Sequence, residues 1–227
     1  MIYGLLLAGI LAGFLYQAYV KKEMAQALKQ PSGSPETAGE MVARWIERVE
    51  GKKAVFAVTE APGADHYQPE TGMLVLSRTI ARSKSIGAIS TAAHEMGHLD
   101  QDHAGSGLMA FHSAIRPAMN GCSAFYWIVL LVGEAAHWDL LRLLGGIMIV
   151  CTLIYAGLSF FLETDAGERG ISRLREDGIC TATEEKKVRR IMAVSAGSYL
   201  LSALSNSIRL LGKVVSVIFR QGSGQER

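Results

Sequence analysis

Between Leu140 and Leu162 only one charged side chain, Arg142, breaks a run of apolar residues. A helix needs about 20 such residues to cross about 30 Å of hydrocarbon, and in lipid the backbone must satisfy its own hydrogen bonds. Three other runs pose the same constraint. Ile2 to Val20 carries no charge, Pro117 to Trp138 is charged only near its end, and Ile191 to Phe219 carries Arg209 and Lys213. The last is expected to span only to about Leu211 and then to lie along the interface. Composition agrees: 49% of residues are apolar and 19% charged, against about 25% charged in a soluble domain. The basic pair Lys21-Lys22 follows the first run instead of preceding it, which predicts an uncleaved anchor and not a cleaved signal peptide. Arg142 lies close enough to the end of its run to snorkel. Glu134, His137 and Asp139 then form the polar tip of a hairpin.

Four spans place residues 21–116 and 163–190 on one side. Those segments hold eleven and seven of the 23 Lys and Arg residues, so the positive-inside rule puts both in the cytoplasm of a multi-pass protein of the cell membrane. The expected organisation is an anchor (1–20), a cytoplasmic segment (21–116), a membrane hairpin (117–162), a second cytoplasmic segment (163–190), a fourth membrane or interfacial helix (191–219) and a tail (220–227). A net charge of +2, with no basic patch interleaved with aromatics, excludes a nucleic-acid partner. Three cysteines exclude a secreted disulfide scaffold.

Within 21–116, Gln30 to Pro35 reads as a linker. Ser34 is the expected cap of a helix that Gly51 closes, with Met41, Val42, Trp45 and Ile46 among the residues of its apolar face. Ala54 to Thr59 and Met73 to Ser77 are predicted strands of a small sheet, joined by a turn region that holds His66. Ser83 or Ser85 opens a further helix running to about Asp102.

That helix carries His94-Glu95-Met96-Gly97-His98, an H-E-x-x-H pattern. At about 100° per residue the two imidazoles stand one above the other on one face. So placed, they can reach one Zn²⁺ at about 2.0–2.1 Å, while Glu95 projects from the edge of that face as a general base. A catalytic zinc needs a third protein ligand and an open position. The expected donor is Glu163, with Asp165 as alternative ligand or supporting group. Asp102 and His103 read more simply as solvated helix-end residues than as outer support, and Leu74 to Ser77 is the candidate edge strand that pairs with extended substrate. Lys84, Asp100 and Asp102 bracket the motif too closely for it to lie in lipid, which argues against an intramembrane protease.

Several stretches resemble the YugP-type neutral zinc metallopeptidases of bacterial membranes. They are Asp65-His66-Tyr67 with Leu74 to Ser77, Ser85-Ile86 leading to Ala92 through His98, Glu163-Thr164-Asp165-Ala166, Arg169, and Leu174 through Gly178-Ile179. The resemblance follows the order of nearly the whole chain. It implies a zinc peptidase acting on protein or peptide substrates, with an α+β catalytic segment between membrane helices and Glu163 as the downstream acid. Related membrane peptidases carry an Asp four residues after that Glu, where this chain has Gly167, so Glu163 and Asp165 both stay open.

The expected fold is thus an α+β integral membrane protein. It is mainly helical, with about four transmembrane helices and a small zincin-like segment of helix and short sheet. The expected activity is hydrolysis of peptide bonds at the cytoplasmic face of the bilayer. The alternative is a non-catalytic membrane scaffold or pseudopeptidase that binds zinc structurally, at a site closed by a fourth protein ligand, or not at all.

Overall fold

A computed structural model describes residues 2–49 and 54–200. The elements in order are helices α1 (Ile2–Ala27) and α2 (Ala38–Glu47), strands β1 (Val55–Thr59), β2 (His66–Gln68) and β3 (Met73–Ser77), the short α3 (Arg78–Ala81), and helices α4 (Ile86–His103), α5 (Gly107–Ala135) and α6 (Asp139–Glu176). A further helix, α7, covers 182–200, where the described residues end. The chain is therefore mainly helical with one small sheet. It divides into two compact units. Of the described residues, one holds 2–18, 112–160 and 198–200; the other holds 19–49, 54–111 and 161–197.

In the first unit α5 and α6 form a hairpin. Its turn is tight because α5 ends in a Schellman arrangement: Trp138 N–H donates to Gly133 C=O and His137 N–H to Glu134 C=O. His137 takes the left-handed conformation, at φ 49°, where glycine is usual. The two arms touch at small residues. A Cβ on Gly133 would stand 2.9 Å from the Arg142 amide nitrogen, and one on Gly145 would meet the Leu130 side chain at 2.6 Å. Glu134, His137, Asp139 and Arg142 do gather at the turn, where Arg142 donates to Asp139 at 3.0 Å. Leu140, Leu143, Ile147, Val150 and Ile154 recur along one face of α6, and all are exposed.

Among the described residues, α5 and α6 are long and apolar enough to cross a membrane. The first expected run falls within α1. The fourth is helical as far as residue 200, and the remainder lies outside the described residues. Two boundaries differ from expectation. Helix α5 begins at Gly107 and runs through Pro117, which forfeits one backbone bond without stopping the helix. Helix α6 does not end with its apolar run at Leu162 but continues to Glu176. Nothing after Leu162 breaks it until Gly178, at φ +65°. There Ile179 N–H donates to Leu174 C=O and Gly178 N–H to Arg175 C=O, closing the helix.

In the second unit α2 starts later than expected. Thr37, not Ser34, is its cap, in a reciprocal box with Glu40: the Thr37 hydroxyl accepts from Glu40 N–H and the Glu40 carboxylate from Thr37 N–H. The helix buries Met41, Val42 and Trp45. The sheet has three strands in the order β1-β3-β2, with β1 parallel and β2 antiparallel to β3. The region read as a turn around His66 contains β2. The segment expected to offer a free edge, Leu74 to Ser77, belongs to the central strand. Leu74 and Leu76 are fully buried, and a strand this apolar gains most from neighbours on both sides. Asp65 fastens the sheet by accepting from both the amide and the hydroxyl of Ser77. Ser85 caps α4, as its sequence suggested. Ile86, Ile89, Met96 and Leu99 of α4 pack with α2, β3 and Ile171 and Leu174 of α6 into one core.

Candidate metal centre

The site rests on a close crossing of α4 and α6, made possible by small side chains on both. A Cβ on Gly97 would lie 1.9 Å from Ala166 C=O, and one on Gly170 would lie 2.4 Å from Ala93 C=O. Neither position admits a side chain larger than hydrogen without moving a helix. Gly97 sits between the two histidines, and Ala166 follows Glu163 by one turn. Backbone contact at these points therefore brings the Glu163 carboxylate against the imidazoles. Glu163 Oε2 is 2.9 Å from His94 Nε2 and 3.6 Å from His98 Nε2. The rings meet edge to face with centroids 4.8 Å apart. One donor atom from each of the three residues lies within 4.8 Å of the others, and this is the grouping of its kind among the described residues.

The electrostatics follow from the packing. Burial pushes the Glu163 carboxyl up, but hydrogen bonds from His94 and His98 outweigh it and hold the group well below the usual carboxylate range. Burial likewise pushes His98 down, and the Glu163 carboxylate beside it prevails, lifting the imidazole to about 9.

Glu95 stands apart from this group. It is buried, and its Oε2 accepts from the Tyr67 amide of β2 at 2.8 Å. Tyr67 is tied to α4 a second time: its hydroxyl donates to Asp102 at 2.9 Å. Asp102 thus supports β2. His103 leaves its Nε2 buried without a partner among the described residues. His66 is exposed, with Nδ1 2.7 Å from Ala64 C=O.

Asp165 is not one of the three converging donors. Its Oδ2 accepts from Arg169 and from the amide of Gln101, each at 2.8 Å. Gln101 is fully buried and lies one turn beyond His98, with Oε1 3.0 Å from His98 Nδ1. The reading of the sequence passed over it. Its signal was the i, i+3 spacing from a candidate ligand, which is weak without knowledge of what lies opposite. Around the site, Asp100 accepts from Arg173 Nε at 2.6 Å, and the Arg173 guanidinium lies 5.8 Å from the Trp45 ring.

Residues 2–218 match the model of a family described as "putative neutral zinc metallopeptidase". The chain belongs to this family. As a neutral zinc metallopeptidase family member it is 28% identical over 220 residues to a protein of Bacillus subtilis (strain 168) described as "putative membrane protease YugP", and the match covers 96% of each chain. No solved structure matches it. The family's zinc fits the residues present. Bonds of about 2.0–2.1 Å to a tetrahedral ion put neighbouring ligand atoms about 3.3 Å apart; the 2.9 and 3.6 Å separations from Glu163 bracket that value, and all three donor atoms lie within 4.8 Å of one another. Two imidazole nitrogens and one carboxylate oxygen are a donor set suited to zinc, and they leave a position for water. His94 Nδ1 is buried without a hydrogen-bond partner among the described residues.

Proposed function

We propose that the protein is a membrane-embedded zinc metallopeptidase that hydrolyses peptide bonds of protein substrates at the cytoplasmic face. His94, His98 and Glu163 hold the metal, and Glu95 is the general base. The observation that carries this reading is the convergence of Glu163 from α6 on the two imidazoles of α4, while Glu95 of the same motif stays off the ligand group. When bound, zinc lowers the pKa of a coordinated water toward about 7 and polarises the scissile carbonyl.

The remaining work falls to the chain. The Tyr67 amide holds the Glu95 carboxylate through one oxygen, which fixes the side chain and leaves the other oxygen to accept a proton from the attacking water. Glu95 then delivers that proton to the leaving amine. The exposed apolar face of α6 and the membrane protease among its relatives support a multi-pass protein with the organisation expected from the sequence. In that organisation the segments 21–116 and 163–190 are cytoplasmic, between an N-terminal anchor, the α5–α6 hairpin and a fourth helix.

The test uses full-length protein in detergent. Wild type and Glu95→Gln should each bind about one zinc, and His98→Ala should lose it. Only wild type should cleave an unfolded protein substrate. Cleavage by Glu95→Gln equal to wild type would remove Glu95 from its role. Equal zinc in His98→Ala would remove the metal assignment.

A further inference from the structure

We propose that Gln101 is a positioning residue for the metal centre: its side-chain amide fixes which nitrogen His98 presents and couples that histidine to Asp165 on the facing helix. The inference rests on the reading of His94, His98 and Glu163 as zinc ligands. Gln101 is fully buried, so each of its polar atoms needs a partner. Its Nε2 lies 2.8 Å from Leu162 C=O and 2.8 Å from Asp165 Oδ2. Both are pure acceptors, so the amino group must face them, and this settles the orientation of the amide. Oε1 is thereby turned to His98 Nδ1, at 3.0 Å. A carbonyl oxygen only accepts, so Nδ1 carries the hydrogen and the lone pair of neutral His98 is left on Nε2. That is the nitrogen facing Glu163.

The arrangement does more than select a tautomer. Leu162 immediately precedes Glu163, so one amide grips the backbone beside the carboxylate ligand with its nitrogen and the second histidine with its oxygen. Arg169 holds the far end by donating to the same Asp165 oxygen at 2.8 Å. Groups that orient a ligating histidine this way are worth about 10–100-fold in metal affinity.

Zinc affinity of full-length protein in detergent, measured by competition with a chromophoric chelator, tests the proposal. Gln101→Met keeps the volume and removes every hydrogen bond. It should weaken zinc by about 10–100-fold and shift the visible bands of the cobalt-substituted protein. Asp165→Ala should weaken zinc by a smaller factor, and by nothing further in the Gln101→Met background, because its effect passes through Gln101. Thr37→Ala, which loosens the α2 cap, should lower thermal stability and leave zinc affinity unchanged. Affinity of Gln101→Met within twofold of wild type would overturn the proposal. So would an undiminished effect of Asp165→Ala in the double variant. Should Gln101→Met fail to accumulate, Asp165→Ala decides alone: an unchanged affinity there overturns the link. Wild type that binds no zinc would remove the underlying reading as well, an outcome distinct from zinc binding that ignores Gln101.

Discussion

His98 and Glu163 make opposite demands on pH, which gives the site a signature. The His98 imidazole, raised from 6.5 to about 9, adds stability that is complete below about 6.5 and is lost as pH rises through about 9. Glu163, held below its ordinary 4.5, adds stability that is present above 4.5 and lost as pH falls below it. In the presence of EDTA the pair therefore contributes most between about 4.5 and 6.5. Zinc must displace the His98 proton, so the rise in Tm on adding zinc should grow from pH 6.5 to 9. Thermal unfolding across that range, with EDTA and with zinc, checks it; an increment independent of pH contradicts a protonated His98 in the metal-free site. At this scale the grouping of His94, His98 and Glu163 was legible in part: a helix alone fixes His94, Glu95 and His98, and acids near a span boundary are few, though Asp165 stayed open beside Glu163. Gln101 and the Tyr67 amide were not. A neutral amide acquires meaning only from its partners, here 61 and 64 positions away, and no local pattern marks a backbone N–H as the anchor of a carboxylate.

The elements depend on how near α4 and α6 approach. Gly97→Ala and Gly170→Ala should each destabilise the fold by about 1–3 kcal/mol through overpacking, and weaken zinc by pushing Glu163 away from the imidazoles. Gly146→Ala, in the apolar part of α6 where no atom lies within 4 Å of an added Cβ, should be neutral. Tm and zinc content of the three variants measure the difference; equal behaviour at 97 and 146 would deny the close crossing. The start of α4 at Ser85 was readable as a cap before an apolar run. The cap of α2 was also written in the chain, as Thr37 three residues before Glu40, but Ser34-Pro35 offered a competing start. Strand β2 was hidden because three residues are too few for alternation to emerge. The central place of β3 followed from neighbours that periodicity does not reveal.

For the whole molecule, the proposed membrane organisation sets the exposed apolar residues of α6 against lipid. Ile154→Lys should reduce the membrane-inserted fraction, since a lysine near the centre of a span costs about 2.5–3.5 kcal/mol. Unchanged insertion in a membrane fractionation would count against a lipid-facing position. Sidedness has its own assay. In a background free of Cys122, Cys151 and Cys180, cysteines at Lys29, Arg82 and Lys187 should react from the cytoplasm, and one at Asp139 from the opposite side. Labelling of Arg82→Cys and Lys187→Cys from different sides would break the proposed organisation. The apolar runs announced the long helices plainly. What they hid was that α6 has no stop at Leu162, since apolar and polar sequence can share one uninterrupted helix.

The contact of Gly97 with the Ala166 carbonyl also changes how mutagenesis data on this chain should be interpreted. Along most of α4 alanine scanning is truncation, and a sensitive position points to a side chain that mattered. At Gly97, and at Gly170 across from it, alanine is enlargement. A scan would flag both among the most intolerant sites although neither carries a reactive group, and a ranking by sensitivity alone would mistake spacers for chemistry.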